Sequence, residues 1–252
     1  MVTLEQFTKA NKKRKAELAK RAGFTDVEKF RAHLKGVRVA KTINELTKEK
    51  IPTIHIVNIV DCSGSMGGSK IDAANEMVKS DINKVLNETD VYYTYTLRTF
   101  STRVDEYKNK LDRNPKYTLL TTHSMTALYD AIGDTLEDLK SSIPTNEKVI
   151  VSIITDGEEN SSVRYSAKDV SKLIEDLNSK NFTITFVGTN QDVEKAINKL
   201  KIDRSNTQSY DGTGVGLKKS MLVREKALAT YSKSVVKGED VKTGFYKKVL
   251  NK

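Results

Sequence analysis

The sequence predicts an α/β protein with a doubly wound, mostly parallel sheet, helices on both faces and an N-terminal helical extension. From residue 53 onward, short runs rich in Val, Ile, Thr, Phe and Tyr alternate with longer segments whose apolar residues recur at the helical period. This alternation is typical of parallel strands joined by helical crossovers, and right-handed crossovers place helices on both faces. The first 50 residues carry apolar residues at helical spacing only.

The individual elements follow from these patterns in chain order. The extension gives two helices, in LEQFTKANKKRKAELAKRAG and DVEKFRAHLKG. Strands are predicted from β-rich composition at 53–61, 91–101, 148–156 and 182–189. A shorter and more polar edge strand is predicted at 103–108, and a last strand at 207–211. Helices are predicted from apolar stripes at 70–87, 126–143, 166–180, 192–201 and about 217–236.

The charge is distributed unevenly along the chain. The net charge of +10 consists of +8 in residues 1–50, −4 in residues 51–210 and +6 in residues 211–252. Together with the elements, this predicts a basic helical extension at 1–50, a mildly acidic α/β domain at 51–212 and a C-terminal basic helix and tail at 213–252.

Composition restricts the class of protein. Apolar residues make up 37% and charged residues 30% of the chain, and no apolar stretch approaches the roughly 18 residues that a membrane span needs. The N-terminus lacks the apolar core and cleavage site of a secretory signal. The single cysteine, Cys62, is predicted to be a small buried residue and fits a reducing compartment. We therefore expect a cytoplasmic location and no membrane partner.

Oxygen-bearing side chains are concentrated at the predicted strand ends. Asp61, Ser63 and Ser65 follow the first strand, Thr126 begins a helix, and Asp156 ends a later strand. Ligands of doubly wound sheets bind beyond the carboxyl ends of the strands, so these side chains should meet there. Carboxylates and hydroxyls without a cluster of His or Cys favour a hard cation. We predict a Mg²⁺ site, with Mn²⁺ or Ca²⁺ as alternatives.

The order of these residues resembles the metal-ion-dependent adhesion site of the von Willebrand factor A domain family. The family pattern is DxSxS, then a distant Thr, then a distant Asp, and it is matched by DCSGS (61–65), by TALYDAI beginning at Thr126 and by TDG at 155–157. The resemblance covers about residues 52–210. It implies that Ser63 and Ser65 bind the metal directly, that Thr126 does so directly or through water, that the aspartates act partly through bound water, and that one coordination position stays open.

One residue departs from the family pattern. Many members have glycine two residues before the metal-binding threonine, whereas this chain has Ser124. Thr121 or Thr122 is the alternative ligand, but neither is followed by a helix start. Downstream, Glu158, Glu159 and Asn160 are open to two interpretations, either a solvated acidic loop or a second cation site.

The predicted site favours binding over catalysis. Neutral hydroxyl ligands leave a bound cation electrophilic, so it should attract an Asp or Glu from a protein partner. The resemblance implies metal-dependent protein recognition, as an adaptor or assembly factor in a larger complex, with AAA-type ATPases as one partner class. The closing segments at 187–202 and 210–220 are similar to those of bacterial and phage members, which would place a phage-encoded protein in the host cytoplasm.

Two other functions are alternatives to protein binding. Two enzyme motifs are not matched. A phosphate loop starting at Gly64 would need a glycine at position 69, where the chain has Ser69. A nucleophile elbow centred on Ser65 would need a glycine at position 63, where the chain has Ser63. Metal-assisted hydrolysis stays open as the enzymatic alternative. The second alternative is RNA or DNA binding through the basic arms. The side chains considered for it are Lys12, Lys13, Arg14, Lys15, Lys20, Arg21, Lys218, Lys219, Arg224 and Lys226.

Overall fold

The computed structural model describes residues 15, 16, 19, 20, 27, 28, 30, 31, 51–88 and 90–250. The chain divides into two compact units, Met1–Ile51 and Pro52–Lys252. The described residues before Ile51 are α-helical, in agreement with the helices predicted there. The rest of those two helices lies outside the described residues.

The second unit is built on one six-stranded sheet, counted over its described residues. In chain order the strands are β1 (Thr53–Asp61), β2 (Tyr92–Phe100), β3 (Lys108–Asp112), β4 (Lys148–Ile154), β5 (Phe182–Thr189) and β6 (Thr207–Tyr210). Their order across the sheet is β3-β2-β1-β4-β5-β6. Every neighbouring pair is parallel except β2 and β3, which are antiparallel. The predicted doubly wound, mostly parallel sheet is therefore confirmed.

Helices cover both faces of this sheet. The helices are α1 (Ser69–Asn87), α2 (Leu128–Ser142), α3 (Ala167–Asn178), α4 (Asn190–Leu200), α5 (Gly214–Val236) and the short α6 (Lys247–Leu250). Side chains alternate along β1, so Ile54 and Ile56 pack in one core with α1 and α5, whereas Val57 and Ile59 pack in the other with α2, α3 and α4. Burial on both faces explains why the central strands are almost continuously apolar. No helix among the described residues is long and apolar enough to cross a membrane.

The predicted edge strand is wrong in position. The strand that pairs antiparallel with β2 is Lys108–Asp112, and of the predicted range 103–108 only Lys108 belongs to it. Val104 adds an isolated antiparallel bridge to Phe100, the last residue of β2. Asp105 instead closes a turn against the end of β2, where its amide donates to the Thr99 carbonyl at 2.9 Å and its carboxylate accepts from the Thr99 hydroxyl at 2.5 Å. The turn therefore occupies the first part of the predicted strand.

Helix α5 begins three residues earlier than predicted. Thr213 caps it by accepting a hydrogen bond from the Gly216 amide at 3.0 Å. Glycine disfavours helices, but here Gly214 is needed because a Cβ at that position would lie 2.1 Å from the hydroxyl oxygen of Ser69 in α1. The two helices thus approach closely at the edge where β1 ends.

The C-terminal segment at 213–252, predicted as a basic helix and polar tail, packs in the second unit through its described residues. Phe245 and Tyr246 are buried with α5 in the core. Arg224, which was considered for phosphate binding, is 1% exposed. Its guanidinium donates to Asp81 of α1 at 2.9 Å and to Asn58 of β1 at 2.8 Å. That basic side chain belongs to a buried network and is not available to a nucleic acid.

Candidate metal centre

The predicted site lies where the sheet changes its winding direction. β1 is flanked by β2 on one side and β4 on the other, so the chain segments leaving β1 and β4 diverge at their carboxyl ends. Asp61 is the last residue of β1, and Asp156 lies two residues beyond β4. Such a crevice is where doubly wound sheets bind ligands. The fold thus brings the two carboxylates to one place.

Asp61 is fully buried, and both of its carboxylate oxygens accept hydrogen bonds. Oδ1 accepts from the Ser63 amide at 2.7 Å, and Oδ2 accepts from the Thr155 hydroxyl at 2.5 Å. Burial raises the pKa of the Asp61 carboxyl, these hydrogen bonds act in the opposite direction, and the neighbouring charge of Asp156 adds to the rise. Asp61 is therefore held in one orientation by Ser63 and Thr155.

A short 3-10 turn places the two serines side by side. The turn spans Gly64–Met66, and the Met66 amide donates to the Ser63 carbonyl at 3.1 Å. The hydroxyl oxygens of Ser63 and Ser65 are 3.0 Å apart, and the Ser65 hydroxyl donates to Asp156 Oδ1 at 2.7 Å. Ser63 is buried and Ser65 is exposed, so solvent reaches the site from the Ser65 side.

The threonine loop is anchored from two directions. The Thr126 amide donates to Asn160 Oδ1 at 3.0 Å, and the His123 amide donates to the Cys62 carbonyl at 2.6 Å. The loop stays close to the DxSxS turn, since a Cβ at Gly64 would lie 3.4 Å from the His123 carbonyl and 3.7 Å from that of Ser124. These contacts place Thr126 at the site with Ser124 in the loop that precedes it.

The space next to the Cα of Gly157 shows whether the oxygens of these residues are close enough together to hold a cation. A Cβ built on Gly157 would lie 3.0 Å from Thr126 Oγ1, 3.2 Å from Asp61 Oδ2 and 3.4 Å from Ser65 Oγ. Three oxygens from three separate segments thus surround one point. The side chains of Ser63 and Asp156 both contact Ser65. All five predicted residues therefore lie around this space, which we call the cradle. A divalent ion with oxygen ligands at about 2.0–2.6 Å suits such a donor set.

The chemistry of the donor set favours a hard cation. Within the described residues, no group of three or more His, Cys, Asp and Glu side chains is arranged to hold a metal, so ligation here depends on hydroxyl oxygens as well as on the two carboxylates. Burial raises the pKa of the Cys62 thiol to about 12. Cys62 is therefore a buried neutral thiol and not a thiolate ligand.

Lys70 is a residue of the site that the sequence analysis did not identify. Its ammonium donates to Oδ2 of Asp156, and the two side chains are 20% and 2% exposed. Lys70 is the second residue of α1, directly after the loop that follows β1. A lysine five residues after the DxSxS pattern is a sequence signal that could have been noticed.

The acidic loop after Asp156 has a structural role that sequence reasoning also missed. The carboxylate of Glu159 accepts from the amides of Tyr129, Ser161 and Ser162. The more exposed Glu158 forms an ion pair with Lys195. Both side chains thus have partners within the protein.

Asp130, in the first turn of α2, holds the far end of this loop. Its carboxylate accepts from the amides of Val163, Arg164 and Tyr165 at 2.9–3.0 Å. Burial would raise the pKa of Asp130, but these hydrogen bonds and the charge of Arg164 outweigh it and hold the pKa below its usual range. The loop that carries Asp156 is therefore fixed to α2 at several points.

Comparisons with known proteins agree with this architecture. The family model of the von Willebrand factor type A domain matches residues 55–214. No curated protein sequence matches the chain at a significant level.

Solved structures show the same fold at low sequence identity. Proximal thread matrix protein 1 from the mussel byssus is 17% identical with a TM-score of 0.53, and the alignment covers 71% of this chain and 46% of that one. A second structure of that protein, described as having a zinc-occupied MIDAS motif, is 15% identical with a TM-score of 0.54 and the same coverage. The vWF domain of the type V pili tip protein Mfa5 from Porphyromonas gingivalis is 11% identical with a TM-score of 0.55, covering 72% of this chain and 96% of that one. The chain thus spans less than half the length of the mussel protein.

Proposed function

This chain belongs to the von Willebrand factor type A domain family, and we propose that it is a metal-dependent protein-binding module. In this proposal, a divalent cation held by Asp61, Ser63, Ser65, Thr126 and Asp156 captures an Asp or Glu side chain of a partner protein. The observation that carries the proposal is the cradle over Gly157, where oxygens of Thr126, Asp61 and Ser65 lie within 3.4 Å of one point. The family consists mostly of non-enzymatic adhesion or interaction modules.

The charges and hydrogen bonds of the site support carboxylate capture. Asp61 and Asp156 contribute two negative charges, the three hydroxyl ligands contribute none, and the Lys70 ammonium offsets part of the negative charge. A bound cation would supply a Lewis-acidic position that accepts an additional carboxylate oxygen. Ser65 is exposed, so a partner side chain can approach from solvent.

The identity of the cation and of the partner belongs to the same proposal. We favour Mg²⁺, with Mn²⁺ and Ca²⁺ as alternatives, because the donors are carboxylates and hydroxyls. Zinc occupies the corresponding motif of the mussel protein, so it should be included in titrations. An adaptor or assembly role beside an AAA-type ATPase in the cytoplasm remains the partner hypothesis.

The experiment that tests the function is partner capture in Mg²⁺ and in EDTA, with wild type and Asp61→Asn as bait. Asparagine keeps the shape of Asp61 and can still accept from the Ser63 amide, so loss of capture would reflect the lost charge. We expect wild type to retain partner proteins in Mg²⁺, and we expect these proteins to be lost in EDTA and with Asp61→Asn as bait. Replacing acidic residues of a retained partner one at a time should identify the captured carboxylate. Capture that survives EDTA and Asp61→Asn alike would refute the proposal.

A control distinguishes nucleic-acid binding from protein capture. Binding to RNA or DNA should fall steeply with salt and should not respond to Asp61→Asn. Two of the side chains considered for this alternative, both in the described C-terminal segment, are engaged within the protein. Arg224 is buried, and Lys218 pairs with Glu76 at 2.8 Å. We therefore expect retained material to be insensitive to nuclease.

A further inference from the structure

We propose that Lys70 is a built-in competitor of the divalent cation and thereby sets the metal affinity of the site. The inference rests on the proposed metal site and adds a residue that the family pattern does not include. In this account the Lys70 ammonium occupies one oxygen of Asp156 and leaves that oxygen when a cation binds. Metal binding then exchanges the Lys70 ammonium, which is attached to the chain, for a divalent cation from solution.

The contacts of Asp156 carry the inference. One oxygen, Oδ1, accepts from the Ser65 hydroxyl at 2.7 Å, and the other, Oδ2, accepts from the Lys70 ammonium. The carboxylate is 2% exposed and the lysine side chain 20% exposed, so solvent offers little alternative solvation to either group. A cation that uses Oδ2 must first displace Lys70.

The position of Lys70 on its helix strengthens the argument. It is the second residue of the 19-residue helix α1, where the positive end of the helix dipole disfavours a cationic side chain. The ion pair with Asp156 compensates for this unfavourable position. The pair is also less exposed to solvent than a typical surface ion pair. In a partly buried pair, each charged group depends more on the other for stabilisation, because water solvates it less.

The same charge would also oppose a bound metal at short range. An ammonium next to a divalent ion is repelled, and over such distances ionic screening is incomplete because the Debye length is about 8 Å at physiological ionic strength. Removing the charge should therefore tighten metal binding even if the Lys70 side chain moves away from Asp156. The sign of the effect is opposite to that of losing a metal ligand.

The test is a Mn²⁺ titration of the full chain, followed by the electron paramagnetic resonance signal of the free ion. We expect Lys70→Met to bind Mn²⁺ at least about tenfold more tightly than wild type, which corresponds to about 1.4 kcal/mol. Lys70→Arg keeps the charge and should bind within about twofold of wild type. Equal or weaker binding by Lys70→Met would overturn the inference.

A matched control is available on the same helix. Lys84 forms an ion pair with Glu88 and lies 14 residues after Lys70, about 21 Å along the helix axis. Lys84→Met removes the same charge far from the site and should leave Mn²⁺ affinity unchanged. If Lys84→Met tightened binding as much as Lys70→Met, the effect would come from net charge alone and the competitor role would be refuted.

Thermal unfolding without metal provides a second readout. Lys70→Met leaves Asp156 without its ion-pair partner, so this variant should melt below wild type in EDTA and gain more from saturating Mn²⁺. Lys70→Gln serves as a second variant if Lys70→Met does not fold.

The outcomes separate this inference from the proposed function. Wild type that binds Mn²⁺ while Asp61→Asn does not, with Lys70→Met unchanged, refutes only the role of Lys70. Wild type that fails to bind Mn²⁺ refutes both.

Discussion

Gly157→Ala places one methyl group in the cradle and should weaken metal binding about 100-fold while the fold persists. The added Cβ would lie 3.0, 3.2 and 3.4 Å from oxygens of Thr126, Asp61 and Ser65. To admit this Cβ, neighbours at 3.0–3.4 Å must shift by a few tenths of an ångström, and the exposed Ser65 side chain can do so. A Gly-to-Ala change at a compatible backbone also lowers the entropy of the unfolded chain and offsets part of this cost. We expect the free energy of unfolding in EDTA to change by no more than about 1 kcal/mol.

The effect of Gly157→Ala on stability should be much larger when the divalent cation is present. At a cation concentration 100 times its dissociation constant, binding stabilises wild type by about 2.7 kcal/mol. For a domain of this size, that raises the melting temperature by about 5–11 °C. A methyl group within the cradle competes for the space of the ion, and a loss of affinity of about 100-fold would leave about 0.4 kcal/mol and a shift below about 2 °C.

Differential scanning fluorimetry in Mg²⁺ and in EDTA measures both quantities. Gly64→Ala is the matched control, since its Cβ would meet the carbonyls of His123 and Ser124 at ordinary contact distances and not the cradle. We expect this control to keep most of the metal-dependent shift. The reasoning would be refuted if Gly157→Ala retained the full shift of wild type.

Three further predictions concern charged side chains of the α/β domain. Arg224→Met leaves the buried Asp81 without its ion-pair partner and should cost about 3–5 kcal/mol in urea unfolding; a loss below about 1 kcal/mol would contradict the buried network. Asp130→Asn should destabilise the protein at pH 7 by about 1–3 kcal/mol. The pKa of Asp130 is lowered in the folded protein, so the charged carboxylate stabilises the fold fully above its ordinary pKa of 3.8, and this stabilisation is lost as the pH falls through the folded pKa. Urea unfolding at a series of pH values should therefore show the stabilities of wild type and Asp130→Asn converging in acid. A difference that stays constant with pH would argue against a charged Asp130. Glu158→Gln breaks an exposed ion pair with Lys195 and should leave Mn²⁺ affinity within about twofold in a titration, whereas a large loss would favour the second-cation interpretation of this loop.

Much of the fold could be predicted because the signals are local and periodic. The β-rich runs and apolar stripes specified the parallel strands and their helices to within a few residues, as in β1, where the predicted 53–61 is also the observed range. The edge strand was placed wrongly because Asp105 closes a turn with Thr99, a contact that strand propensity does not report. The early start of α5 depends on the close approach of Gly214 to Ser69, which is a tertiary contact.

The site was predictable to the extent that its residues stand at strand ends. Asp61 and Asp156 could be placed together once a parallel sheet was inferred, because parallel strands end at one edge. Lys70 and Asp130 were missed for a different reason. Both lie in the first turns of helices, and their partners are Asp156 and the amides at 163–165. Charged residues in such positions usually face solvent, and sequence periodicity does not show which of them turn back onto a loop.

Binding of Mn²⁺ to wild type and to Asp61→Asn tests the central claim most directly. We predict that wild type binds one ion per chain, that EDTA removes it, and that Asp61→Asn loses at least about 100-fold in affinity, about 2.7 kcal/mol, while its circular dichroism spectrum stays that of wild type. Wild type that binds no ion, or a variant that binds as tightly as wild type, would contradict the account.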